Sequence, residues 1–303
     1  MTGLKIKILI SVLALSLLAG CGDGGSSAND PKPSEADSIS AEDSSIREDV
    51  RFEEGYYRIK ADTALDDGSG NAISYNNEKI AYGVPDPEHG RLKLSFPCQT
   101  GTNDLNEAQY TNRDFYTKDS EAVSLLTVDE VRQAAVDYAL AMSEKPKQTY
   151  VLSGELVTED ETRSDCSGMT ELAYLSVGIC LEHYADAQAN GGERMQTVFD
   201  NLESEGERNG TPVYRIKDEK ARVDYSKLQK GDLLFFLCAT NSSSDNNLYT
   251  DNGIGHVAMY IGDGKMVHFT ADYGISNKPC RTEQLIDYES RVLKVVRAVR
   301  YIF

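Results

Sequence analysis

Gly255-His256-Val257-Ala258-Met259-Tyr260-Ile261-Gly262-Asp263-Gly264-Lys265-Met266-Val267-His268-Phe269 is the stretch whose reading decides the fold. An Asp-Gly dipeptide between apolar runs is a strong short-range signal for a β-hairpin. The two strands carry two of the four His in the chain. A lone strand His is commonly structural, but two on paired strands raise a question of register. If Asp263-Gly264 is a two-residue turn, Met259 faces His268 and the imidazoles point to opposite faces. If Gly262 joins them in a three-residue loop, Ala258 faces His268. His256 and His268 then share a face as diagonal neighbours within side-chain reach. Such loops place Gly in the left-handed region as a G1 bulge, which suits Gly264. The three-residue loop is therefore the predicted form.

Two upstream segments extend the pattern. Gly231-Asp232-Leu233-Leu234-Phe235-Phe236 reads as a turn feeding a buried strand. Ser164-Asp165-Cys166-Ser167-Gly168 comes before Met169, Leu172, Ala173 and Ser176, which fall at helical spacing. A helix is therefore expected to begin at or just after Cys166. A free thiol has a pKa near ~8.5, and a helix amino terminus favours the thiolate through its partial positive charge and unpaired N–H groups. The same N–H groups can bind a developing oxyanion. Residues 127–144 form the clearest helix, with Thr127 and Glu130 as a capping box. Val128, Val131, Ala135, Tyr138, Ala139 and Met142 form its apolar face, and Pro146 stops it.

The remaining chain sets limits. Its 303 residues carry a formal net charge of -18 and are 40% apolar. That suffices for a packed core and argues against nucleic acid or an anionic lipid surface as an electrostatic partner. Residues 1–20 combine Lys5, Lys7 and a short apolar run, too short to span a membrane, and read as a secretory signal. The ending Leu18-Ala19-Gly20-Cys21 resembles a bacterial lipoprotein signal, which implies lipidation of Cys21. Residues 21–50 are Gly, Ser, Asp, Glu and Pro with almost no large apolar residue, and read as a flexible acidic tether. Residues 51–120 read as a small β-rich region with turn clusters. His89 lies in one such turn, and His183 is expected at the surface. No CxxC or other zinc spacing occurs, so no metal or other cofactor is expected. Cys98, Cys180, Cys238 and Cys280 are compatible with either disulfides or buried thiols.

The order DCSG, GDLLFF and GHVAMYIGDGKMVHF resembles the NlpC/P60 cysteine peptidases of bacterial cell walls. The resemblance covers about residues 127–303, within an expected domain at 121–303. It implies an α+β, circularly permuted papain-like fold, with the Cys helix packed on an antiparallel sheet. By motif position it implies Cys166 as nucleophile, His256 as base and His268 as the group that orients the base. Asp165 and Ser167 match positions that help bind the amino end of a peptidoglycan stem peptide, and Tyr150 matches a Tyr flanking the site. The implied reaction is hydrolysis of a D-glutamyl-γ to diamino-acid bond by a lipid-anchored, extracytoplasmic enzyme. The alternatives are an amidase or lipid acyltransferase on the same fold, or a non-catalytic cell-wall binding lipoprotein. Ninety positions separate Cys166 from His256, more than compact members have. The excess is placed in 185–225 and 239–253, both read as loops.

Overall fold

The structure, a computed structural model, describes residues 52–102, 108–191, 194–208, 211–237, 253–271 and 278–303. The expected signal, Cys21, the tether, Cys238 and nearly all of 239–253 lie outside these residues. Among the described residues no helix is long and apolar enough to cross a membrane.

The amino-terminal part is an antiparallel sheet. Its strands are β1 (Gly55–Ile59), β2 (Leu65–Asp66), β3 (Ala72–Ile73), β4 (Lys79–Asp86), β5 (Arg91–Thr102), β6 (Ala108–Thr117) and β7 (Val123–Leu126), in the order β3-β2-β6-β5-β4-β1-β7. Alternation along β5 buries Leu92, Leu94 and Phe96, and Phe96 stacks on Phe115 at 4.5 Å. The sheet's seventh strand falls at 123–126, past the boundary at 120 drawn from composition.

Thr127 then caps α1 (Val128–Ser143), with both halves of the expected capping box formed. Such a cap contributes about 1 kcal/mol. Val131, Ala135, Val136, Ala139 and Met142 are buried, as a stripe at that spacing requires. A three-stranded sheet follows, made of β8 (Lys147–Tyr150), β9 (Glu155–Val157) and β10 (Glu161–Ser164), in the order β8-β10-β9. It leads directly into α2 (Cys166–Leu175).

The stretch read as a loop at 185–225 is folded. It holds α3 (Ala185–Asn190), β11 (Gln196–Asp200) and the ribbon β12 (Leu202–Arg208) with β13 (Thr211–Ile216). The polar, Gly-interrupted composition hid a strand that finds its partner only at the chain's end. There, β11 forms the edge of the main sheet by pairing with β18 (Val295–Arg300).

The main sheet adds β14 (Leu233–Leu237), β15 (Ile254–Gly262), β16 (Lys265–Phe269) and β17 (Cys280–Gln284), followed by α4 (Leu285–Arg291). Its order is β11-β18-β14-β15-β16-β17, and every pairing in it is antiparallel. The GDLLFF segment supplies β14, whose first four residues are fully buried. One face, with Leu233, Phe235, Val257, Met259, Val267 and Phe269, packs in the same core as α1 and α2. The other, with Leu234, Phe236, Ala258, Tyr260 and Met266, is covered by Leu285 and Tyr288 of α4. The class is α+β, with the Cys helix packed on an antiparallel sheet.

Candidate active site

The hairpin keeps the expected register by a different device. Asp263 and Gly264 alone make the turn, with φ of 52° and 69°, and Gly262 pairs with Lys265. Alone, this two-residue turn would separate the imidazoles onto opposite faces. A bulge at Ile261 absorbs one residue of β15, so that Met259 pairs with Val267 and Ala258 stands opposite His268. The three-residue loop is thus replaced by a two-residue turn plus a bulge, and both imidazoles share a face. A second bulge follows at Gly255, between the pairs Phe236–His256 and Leu237–Ile254.

The two rings meet directly: His256 Nε2 lies 3.0 Å from His268 Nδ1. His268 is fully buried and His256 is 8% exposed. Tyr288 packs edge-on against His268 at 5.2 Å between centroids, and Phe236 lies 5.6 Å from His256. With Nε2 engaged, His256 retains Nδ1 for a second partner. Burial, then the neighbouring His268 and Arg281, hold His256 well below the usual imidazole range. It is therefore neutral near pH 7, the state a general base requires.

Behind the pair stands a residue the sequence did not reveal. Glu283 Oε1 lies 3.4 Å from His268 Nε2, a long contact for a hydrogen bond. Arg281 Nε donates to Oε1 and Arg291 donates to Oε2 at 2.8 Å. His268, then Arg281, draw the Glu283 carboxyl down to about 2 despite burial. Glu283 lies on β17, two residues past the one paired with His268. Strand alternation from Arg281 would have found it, had the pairing of β16 with β17 been readable across residues 270–279.

The thiol is placed by a separate set of contacts. Asp165 is the N-cap of α2. Its Oδ1 accepts from Gly168 N at 2.8 Å and from Ser167 Oγ at 3.0 Å, and Oδ2 accepts from Ser153 N at 2.7 Å. Asp165 and Ser167, expected to bind substrate, are both buried and bonded to each other. A Cβ on Gly168 would lie 2.7 Å from the Gly154 carbonyl oxygen, so only Gly allows the helix this close to the 151–154 turn. Tyr150 pairs with Ser164 and packs on Phe269 at 6.2 Å. Met169, one turn beyond Cys166, meets Cys280 with 3.9 Å between sulfurs, and Cys280 pairs with Phe269. The first turn of α2 therefore packs against the β16–β17 pair at Phe269 and Cys280. Cys166 itself is buried. The structure thus brings the two imidazoles together, and Cys166 lies in the core cluster that includes Val257, Val267 and Phe269.

The other expectations divide. His89 is an exposed turn residue bonded to Asp86, as expected. His183 is not at the surface: its side chain is 14% exposed and held between Glu155 and Glu171. Its neighbours come from β9 and α2, which lie outside the polar segment whose composition pointed to solvent. No disulfide joins Cys98, Cys166, Cys180 and Cys280.

Residues 147–294 match the NlpC/P60 family, and this stretch of the chain is an NlpC/P60 domain. Similar curated proteins are the peptidoglycan endopeptidase RipA of Mycolicibacterium smegmatis and a gamma-D-glutamyl-L-lysine dipeptidyl-peptidase of Bacillus cereus. The first is 25% identical over 43% of this chain and 18% of the relative. The second is 34% identical over 34% of this chain and 20% of the relative. The chain thus spans about a fifth of the length of these relatives. A solved NlpC/P60 family protein from Bacillus cereus is 17% identical, covering 82% of this chain and 64% of that one, at a TM-score of 0.33.

Proposed function

We propose that the chain is a lipid-anchored, extracytoplasmic cysteine peptidase that cuts an amide bond in peptidoglycan stem peptides. The observation that carries this reading is the buried imidazole pair, His256 Nε2 to His268 Nδ1 at 3.0 Å, on the sheet against which α2, headed by Cys166, packs. The family of residues 147–294 and the names of the two relatives support the substrate class. Anchoring rests on the signal-like residues 1–20 and Cys21 alone.

In this mechanism His256 Nδ1 takes the Cys166 proton, and the sulfur attacks the scissile carbonyl carbon. The oxyanion is met by N–H groups at the start of α2. His256 returns the proton to the leaving amine as the C–N bond breaks, leaving a thioester on Cys166. Water, deprotonated by the same imidazole, hydrolyses the thioester and frees the thiol. His268 fixes the tautomer of His256, the role of the third member of a triad. Asp165, Ser167 and Tyr150 border the start of α2, where the amino end of the stem peptide would be received. The proposed bond is D-glutamyl-γ to diamino acid.

Digestion of defined muropeptides, read by product masses, tests the reading. Wild type is expected to release a dipeptide, and folded Cys166→Ala to release nothing. Dipeptide release by Cys166→Ala at the wild-type rate would refute the nucleophile. A bare glycan as product would move the cut to the sugar–peptide bond.

A further inference from the structure

A second cluster of chemistry-bearing side chains lies on the Cys helix, apart from the imidazole pair. Glu155 comes from β9, Glu171 from α2 and His183 from the segment between α2 and α3. One ligand atom from each lies within 4.8 Å of the other two. His183 Nδ1 is 2.8 Å from Glu171 Oε2 and 3.0 Å from Glu155 Oε1. All three side chains are withdrawn from solvent, at 9% exposure for Glu155, 5% for Glu171 and 14% for His183.

His183 Nδ1 is hydrogen-bonded to Glu171 Oε2. Glu155 Oε1 faces the same nitrogen as an ion-pair partner at 3.0 Å. Among the described residues neither Glu155 oxygen accepts a hydrogen bond, although the side chain is more than nine-tenths buried. A buried carboxylate left in that state is costly, and the usual remedies are a paired charge or a metal ion. A protonated His183 supplies the former, and the spacing also fits the latter in its place. Two ligand atoms each about 2.1 Å from a metal, at right angles, are about 3 Å apart. Once His183 gives up its proton, the imidazole and the two carboxylates balance the charge of a divalent ion.

We propose that Glu155, Glu171 and His183 form a binding site for a divalent transition-metal cation of the zinc or manganese class. Carboxylate oxygens suit manganese and zinc, and the imidazole selects against magnesium and calcium. The three ligands come from three separate segments, which is why no ligand spacing appears in the sequence. Glu155 pairs across β9–β10 with Ser164, the residue before the cap of α2, and Glu171 is on α2 itself. A cation here would tie the strand leading into Cys166, the helix that carries it and the chain leaving it. Its place in the molecule is structural, and it does not depend on the peptidase reading.

The test uses chelator-treated full chain carrying Cys166→Ala, which removes the active-site thiol as a competing ligand. Titration with ZnCl2 or MnCl2 alone is followed by calorimetry and by thermal melting. The expected result is one equivalent bound, with Tm raised by about 5–10 °C at cation a hundredfold above Kd. Glu155→Gln and His183→Gln, checked for folding by circular dichroism, are each expected to weaken binding at least about 100-fold. If either variant fails to fold, the spectrum of added Co2+ in the parent protein decides. Ligand-field bands without a thiolate charge-transfer band are expected from nitrogen and oxygen ligands. No binding of either cation, binding unchanged in the folded variants, or a thiolate band overturns the proposal.

Discussion

His256 and His183 are both withdrawn from solvent, yet their surroundings act on them with opposite sign. Around His256, burial is reinforced by His268 and Arg281, so the imidazole is held neutral. Around His183, burial is overridden by Glu155 and Glu171, which raise its pKa to about 10. Glu171 is itself pushed up to about 7 by burial, against the pull of His183 and with the push of Glu155. The first arrangement leaves a neutral ring nitrogen available to take a proton. The second holds a proton, or a cation in its place, and serves to fasten α2. Burial alone would have depressed both; the charge of the neighbours assigns the roles.

The most drastic way to break this contrast is to remove each ring. His256→Ala is expected to lower kcat/KM on muropeptides by about 1000-fold or more, while His183→Gln keeps activity within about tenfold and loses stability instead. Equal losses of activity in the two variants would abolish the distinction. Next, His268→Ala is expected to cost about 100-fold, with His268→Asn recovering much of it because an amide can still fix the tautomer. Steady-state kinetics should place that loss in kcat and not in KM. A smaller effect, about tenfold in kcat, is expected for Glu283→Gln, on the scale of one weakened charge-assisted contact to His268.

The smallest effect concerns stability against pH in metal-free buffer. His256 is depressed from 6.5, so its contribution is present above that pH and is lost as pH falls and the unfolded chain takes up a proton. His183 is raised from 6.5 to about 10, so its contribution is complete below 6.5 and is lost as pH rises towards 10. Tm curves should therefore show His256→Gln flattening the acid limb and His183→Gln flattening the alkaline limb. Parallel curves for the two variants would contradict the assigned signs.

Local signals carried much of this architecture. The Thr127–Glu130 box, the apolar stripe of α1 and the helix start at Cys166 are readable because each depends on residues within one or two turns. The shared face of His256 and His268 was also readable, but through the wrong loop, since the compensating bulge at Ile261 has no sequence mark of its own. What stayed hidden depends on distant partners. Strand β11 becomes a strand by meeting β18, Glu283 reaches His268 through the β16–β17 pairing, and His183 is buried by residues from β9 and α2. Asp165 was read only for substrate, although Asp before a helical run is an ordinary cap signal.

The central claim is that the imidazole pair activates Cys166, and the rate at which that thiol is alkylated tests it most directly. Iodoacetamide labelling at pH 6, with Cys166 separated from the other thiols by peptide mass, should be at least about tenfold faster in wild type than in folded His256→Ala. Equal rates in the two proteins would show that the thiol and the imidazole do not act together, and would contradict the account.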